Sequence, residues 1–151
     1  MSEVTESGSR LPPLAKLKPG ETVFDVGCGD GRILVTAAQE FKAKGVGIEM
    51  SRDIYESTVA RIKSLGLADR ISIIHGNALH ADFSPADVVT VYLLTSSNAR
   101  LKPMFEKQLK PGARVVSHDY EIRGWTPSDM KKINFMGRQH TIFVYTIQPQ
   151  S

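Results

Sequence analysis

The residues best suited to chemistry open the first third of the chain. Asp25-Val26-Gly27-Cys28-Gly29-Asp30-Gly31 sets an acid two positions ahead of three alternating glycines. An apolar strand pattern, Val23-Phe24-Asp25-Val26, leads into it, and Ile33, Leu34, Ala37, Ala38 and Phe41 follow at helical spacing. A strand that enters a glycine loop and then a helix N-terminus is a device for binding nucleotide-type ligands. Glycine lets the backbone approach a ligand and take positive φ. The first turn of the helix offers unpaired N–H groups and partial positive charge. Asp25 would repel a pyrophosphate but suits a ligand carrying an ammonium group. The dinucleotide fingerprint G-x-G-x-x-G is not matched, because the glycines fall at every second position. A second acid, Glu49, ends the strand pattern Gly45-Val46-Gly47-Ile48-Glu49, eighteen residues past Gly31. A carboxylate at that strand tip, about 20 residues beyond a glycine loop, reaches the ribose hydroxyls of a bound nucleoside. The plain alternatives are a ligand-free turn and a Glu49 that only caps the next helix.

The elements that must position these groups alternate. Strand patterns at Val23–Val26, Gly45–Glu49, Ile71–His75, Val88–Tyr92 and Ala113–Ser117 are separated by helical ones. The first helix spans about Arg32 to Phe41. The second starts after Ser51 as N-cap, carries Ile54, Thr58, Ile62 and Leu65 at helical spacing, and stops at Gly66. A third runs up to Leu109, with a kink or a restart at Pro103. Leu17-Lys18-Pro19-Gly20 and Leu109-Lys110-Pro111-Gly112 repeat one type II turn ahead of the first and fifth strands. A terminal hairpin joins Ile133–Met136 to His140–Ile147 through Gly137-Arg138. Such alternation predicts a parallel sheet covered on both faces, with any ligand at the carboxyl ends of the strands.

At 151 residues the chain fits one domain, 17–151, behind a mobile tail of residues 1–16 with a turn at Pro12-Pro13. Hydrophobic content is 41%, and no apolar run reaches the ~20 residues a bilayer crossing needs. The polar, acidic start does not read as a signal peptide, so no membrane partner and a cytoplasmic location are expected. Cys28 is the single cysteine, which excludes an internal disulfide and a cysteine-rich metal site. The four histidines show no metal-ligand spacing, and His75 and His80 read as structural. Net charge is +3 but uneven. Residues 1–99 carry a balance of −2, and residues 100–151 one of +5. No aromatic residues interleave with the basic ones in the way that stacks bases, so direct nucleic-acid binding is not expected.

Asp25 to Gly31 resembles motif I, D-x-G-x-G-x-G, of the class I S-adenosylmethionine-dependent methyltransferases. The resemblance implies a doubly wound, mostly parallel, Rossmann-like α/β sheet of seven strands ending in an antiparallel hairpin. It also implies a cofactor, S-adenosylmethionine, with S-adenosylhomocysteine as its product. The implied cofactor set is Asp25, Gly27, Cys28, Gly29, Gly31, Glu49, Met50, Asn77, Ala78 and Tyr92, with Asn77 in the loop that lies beside the adenine. The tip of the fourth strand faces the transferred methyl in this fold, and here it reads Tyr92-Leu93-Leu94-Thr95. It lacks the Asn/Asp-Pro-Pro-Tyr/Phe of enzymes that methylate base or glutamine nitrogens. An aromatic face with apolar walls suits a desolvated amine or a lysine stem.

The stretch from Tyr92 to Pro127, above all Glu106-Lys107-Gln108-Leu109-Lys110-Pro111-Gly112 and Ser117-His118-Asp119-Tyr120-Glu121-Ile122-Arg123-Gly124-Trp125, narrows this further. It resembles the small archaeal protein-lysine methyltransferases. Members usually carry an N-terminal helix and a Tyr/Val-Pro-Thr-Pro-like segment before the first strand, where this chain has sixteen residues and Pro12-Pro13. The resemblance implies Tyr92 and His118 as catalytic groups and Leu93, Thr95, Asp119 and Tyr120 as substrate contacts. Partners would be proteins with exposed lysines, among them basic nucleic-acid-binding proteins, modified with broad selectivity. Two other readings stand beside it: a small-molecule N- or O-methyltransferase, and a cofactor-binding module without catalysis.

Overall fold

The computed structural model describes residues 15–135 and 137–149. Seven strands form one sheet: β1 (Thr22–Val26), β2 (Lys44–Glu49), β3 (Ile71–His75), β4 (Val88–Val91), β5 (Arg114–His118), β6 (Asp129–Phe135) and β7 (Arg138–Thr146). Their order across the sheet is β3-β2-β1-β4-β5-β7-β6. Strands β1 to β5 pair in parallel, and β7 runs antiparallel to both β5 and β6. The expected doubly wound sheet with its terminal hairpin is therefore present.

Register explains the two cores. Val23 pairs with Val88 and Val116 with Val144, and these side chains join Leu34, Ala37, Ala38 and Ile62 on one face. Phe24 pairs with Val89, which pairs with Val115, and these join Phe83, Leu101 and Phe105 on the other. A strand buried on both faces reads as a continuous apolar run, which is why β1, β4 and β5 were legible. Helix α1 (Arg32–Phe41) lies on the first face, close enough that β2 must be thin beneath it. A β-carbon on Gly47 would stand 2.7 Å from Cys28 Sγ and 2.9 Å from Leu34 Cδ1. Helix α2 (Arg52–Ser64) begins where the Ser51 hydroxyl accepts the Ile54 N–H and stops at Gly66, φ +72°.

Helix α3 (Thr95–Gln108) narrows one expectation. Of the two expected outcomes at Pro103, the restart does not occur, because the proline sits inside one continuous helix. Proline removes one i→i−4 hydrogen bond, whose acceptor is the Ala99 carbonyl. Ala99 is exposed, so its carbonyl is open to solvent, and buried Leu101 and Phe105 anchor the helix on either side. Both Pro-Gly turns form, with the Glu21 N–H on the Lys18 carbonyl and the Ala113 N–H on the Lys110 carbonyl, each 3.1 Å. Strand β5 runs one residue further than its apolar pattern, to His118, and β6 starts four residues earlier than expected.

Most of the expected tail lies outside the described residues. Its last two residues belong to the domain: Ala15 is buried, and Arg114 donates to the carbonyls of Ala15 (2.8 Å) and Lys16 (3.1 Å) while pairing with Glu21. Among the described residues no helix is long and apolar enough to cross a membrane.

Candidate active site

The glycine loop joins the carboxyl end of β1 to α1, and all three glycines use their freedom. Gly27, Gly29 and Gly31 have φ of +72°, +56° and +80°, a region costly for any residue with a β-carbon. The loop is tied to β2 by the Gly27 N–H on the Ile48 carbonyl, 2.8 Å. Glu49 braces it from the side. Its Oε1 accepts the Gly29 N–H (3.1 Å) and its Oε2 accepts the Ser51 N–H (3.0 Å). One carboxylate thus joins the loop to the start of α2, and each oxygen keeps a lone pair for a ligand.

A cavity of about 340 Å³ opens beside this brace. Of the expected cofactor set, Gly27, Glu49, Met50, Asn77 and Ala78 line it, and so does Leu93, expected on the substrate side. Asn77 Oδ1 already accepts the Leu79 N–H (2.9 Å), which shapes the short 3-10 turn Ala78–His80 and leaves the amide nitrogen to face a ligand. The sequence did not flag Ser97, Arg100 and Leu101, which close the cavity from one face of α3.

Five residues of the expected cofactor set do not line the cavity: Asp25, Cys28, Gly29, Gly31 and Tyr92. Cys28 is buried against α1 and Gly47, and burial pushes its thiol up to about 12, so only its backbone faces the loop. Asp25 is 5% exposed and accepts the Thr90 hydroxyl at 2.7 Å. Burial pushes its carboxyl up to about 7 against that hydrogen bond. It supports the loop from below and does not line the cavity.

The second half of the site lies one strand over. Tyr92, at the tip of β4, is 54% exposed and stacks on His118 at the end of β5, with ring centroids 4.1 Å apart and planes 18° apart. Tyr120 lies next, 6.3 Å from Tyr92. Thr95 begins α3, half-buried, and Leu94 before it is exposed. Asn98 of α3 is fully buried and donates to Ser117 Oγ (3.2 Å) and to the Tyr120 carbonyl (3.3 Å), fixing the loop after β5.

Asp119 holds φ +68° and is gripped from β7: the Thr141 N–H reaches Oδ1 at 3.0 Å, and His140 Nδ1 stands 2.9 Å from Oδ2. Burial alone would raise this carboxyl, but the Thr141 and His140 hydrogen bonds and the neighbouring imidazoles hold it below the ordinary carboxylate range. Burial lowers His118 below the ordinary imidazole value, against the pull of Asp119. His118, Asp119 and His140 come within 4.8 Å of one another, a meeting that the spacing of the histidines did not show.

A loop with three left-handed glycines, a carboxylate at the second strand tip and a polar residue after β3 converge on one cavity of ligand size. These residues fit S-adenosylmethionine: Glu49 would face its ribose and the Gly27 backbone its amino-acid end. Residues 25–129 match the ANTKMT methyltransferase domain. The chain belongs to that family of class I S-adenosylmethionine-dependent methyltransferases. It is similar to the protein-lysine N-methyltransferase of Saccharolobus islandicus (strain REY15A), 45% identical over 139 residues, covering 91% of this chain and 86% of the relative. It is also similar to a solved RNA methyltransferase from Salinibacter ruber in complex with S-adenosyl-L-homocysteine. That pair shows 37% identity and a TM-score of 0.87 over 95% of this chain and 92% of the other. TrmN from Thermus thermophilus, at 18% identity and TM-score 0.79 over 93% of this chain and 48% of its own, shares the fold.

In this methyltransferase, replacing Glu49 removes the loop brace and, on the expected cofactor role, a ribose acceptor as well. Hydrogen bonds to charged groups are worth about 1.5–3 kcal/mol each. Glu49→Ala is expected to weaken cofactor binding by at least about tenfold in calorimetry while the domain stays folded. A folded variant with wild-type affinity would leave Glu49 only its contacts to Gly29 and Ser51.

Proposed function

We infer that this methyltransferase is a protein-lysine N-methyltransferase, with the acceptor lysine entering beside Tyr92. The observation that carries the reading is the 45% identity to a protein-lysine N-methyltransferase over 91% of the chain. The matched ANTKMT domain spans both the cofactor loop and the Tyr92–Tyr120 wall. When bound, the cofactor supplies a methyl already electrophilic on its sulfonium. The protein's work is to hold that cofactor, to orient an amine and to favour its neutral form. Gly27, Glu49 and Asn77 do the holding. Tyr92 offers a ring face to the lysine stem, and Leu93 and exposed Leu94 supply apolar walls that disfavour an ammonium. Recognition of a stem by exposed apolar groups takes little from the sequence around the lysine, so selectivity is broad.

RNA is a second reading, favoured by the Salinibacter ruber neighbour and by the +5 balance of residues 100–151. One experiment separates them. The protein is incubated with cofactor and a mixture of a lysine-rich basic protein, unstructured RNA and small amines, and each fraction is read by mass spectrometry. Methyl on lysine side chains is expected. Methyl only on RNA, on carboxylates or arginines, or on the small amines would overturn the proposal.

A further inference from the structure

Tyr92 is exposed, and its ring packs on two others: it stacks on His118, with Tyr120 more distant. The His118 ring, the nearer of the two, backs the Tyr92 ring. His118 is in turn held from behind. Its Nε2 lies 2.9 Å from His140 Nδ1, and both imidazoles are at most 7% exposed. His140 Nδ1 stands 2.9 Å from both Asp119 Oδ2 and His118 Nε2, so one ring nitrogen bridges the carboxylate and the second imidazole. Arg138 Nη2 donates to the same Oδ2 from 3.0 Å, and the Asp119 N–H donates to the Thr141 carbonyl at 2.7 Å. Antiparallel pairing brings these parts together. His118 pairs with Ile142, and His140, two residues before it, returns to the same face of the sheet.

We propose that His140 is a positioning residue for methyl transfer: anchored on Asp119, it holds the His118 ring as the rigid back wall on which Tyr92 stacks. The role rests on the reading of Tyr92 as the acceptor-side wall. The chain of contacts runs from β7 to β5 to β4 and never touches the cofactor cavity. The same three side chains also bring metal-ligand atoms together. The Arg138 guanidinium, however, already stands 3.0 Å from Asp119 Oδ2 and 3.2 Å from His140 Nδ1, supplying positive charge where a cation would sit. A hydrogen-bonded bracket accounts for that donor, and a metal site does not.

The test compares wild type, Tyr92→Ala, His140→Leu and His140→Asn for kcat, for cofactor and acceptor KM, for melting temperature and for bound metal. Asparagine keeps a polar atom at the position of His140 Nδ1, and leucine keeps only bulk. His140→Leu is expected to lose about tenfold in kcat, the scale of one lost hydrogen bond, with cofactor KM unchanged. His140→Asn is expected to recover to within about threefold of wild type. Should the leucine variant fail to fold, Arg138→Leu, altered at an exposed side chain, takes its place with a smaller loss of the same kind. Normal kcat in folded His140→Leu, with Tyr92→Ala impaired, would overturn the positioning role alone. Normal kcat in Tyr92→Ala would overturn the reading of Tyr92 and the role with it. Equal damage in the leucine and asparagine variants would overturn it too, as would one equivalent of transition metal in the wild type that both variants lose.

Discussion

Gly27→Arg is expected to abolish measurable cofactor binding while leaving a folded domain. Gly27 lines the cavity, has φ +72°, and has nothing within 4 Å of the position a β-carbon would take. A long side chain there meets no protein atom at its root and sweeps the space the ligand needs. The backbone cost of a left-handed non-glycine residue is about 1–2 kcal/mol, within the usual margin of stability. Gly66 supplies the control. It has the same φ of +72° and the same open surroundings, but it sits at the far end of α2. Gly66→Arg should cost the same stability and leave affinity unchanged. Calorimetry with S-adenosylhomocysteine on both variants, beside their melting temperatures, reads the difference. Equal affinities would place the ligand elsewhere.

The same glycines show why this half of the site was legible. Three left-handed residues at alternate positions leave no choice of residue type, so local backbone geometry is written directly into the chain. Glu49 was legible for a related reason. A strand tip a fixed distance past the loop must return beside it, and Glu49 does so within hydrogen-bond reach of Gly29. Ser51, Gly66 and the two Pro-Gly turns likewise answer to local rules.

What the chain did not disclose depends on tertiary register. His140 lies 22 residues from His118, and only the pairing of β5 with β7 brings them together. Ser97 and Arg100 meet the cavity because α3 packs across the sheet at one rotation, which its weakly amphipathic sequence does not declare. Which of the two outcomes Pro103 would bring, kink or restart, was open for the same reason. A local rule yielded to the anchors Leu101 and Phe105. The direction of the Cys28 side chain was set by packing against α1, and its residue type did not reveal it.

Replacing Tyr92 should separate catalysis from cofactor binding. Tyr92 does not line the cofactor cavity, so Tyr92→Ala is expected to leave cofactor affinity within about twofold of wild type. Turnover should fall on the order of a hundredfold, the scale of losing the orientation of one reactant. Tyr92→Phe keeps the ring that stacks on His118 and should keep most of the activity. The acceptor amine then governs the pH profile. Lysine has an unperturbed pKa of about 10.4, so between about pH 8 and 9 the neutral fraction, and with it kcat/KM for the acceptor, climbs nearly tenfold. Within the protein, burial holds His118 below the ordinary imidazole range and pushes the Asp25 carboxyl up to about 7, both beneath this window. Alanine at 92 removes apolar cover but leaves the acceptor's own titration, so its profile should keep the same rise at lower height. A flat profile in the wild type would show that a group other than a lysine amine accepts the methyl. A Tyr92→Ala variant whose cofactor affinity falls as far as its turnover would move Tyr92 from the acceptor wall to the cofactor site.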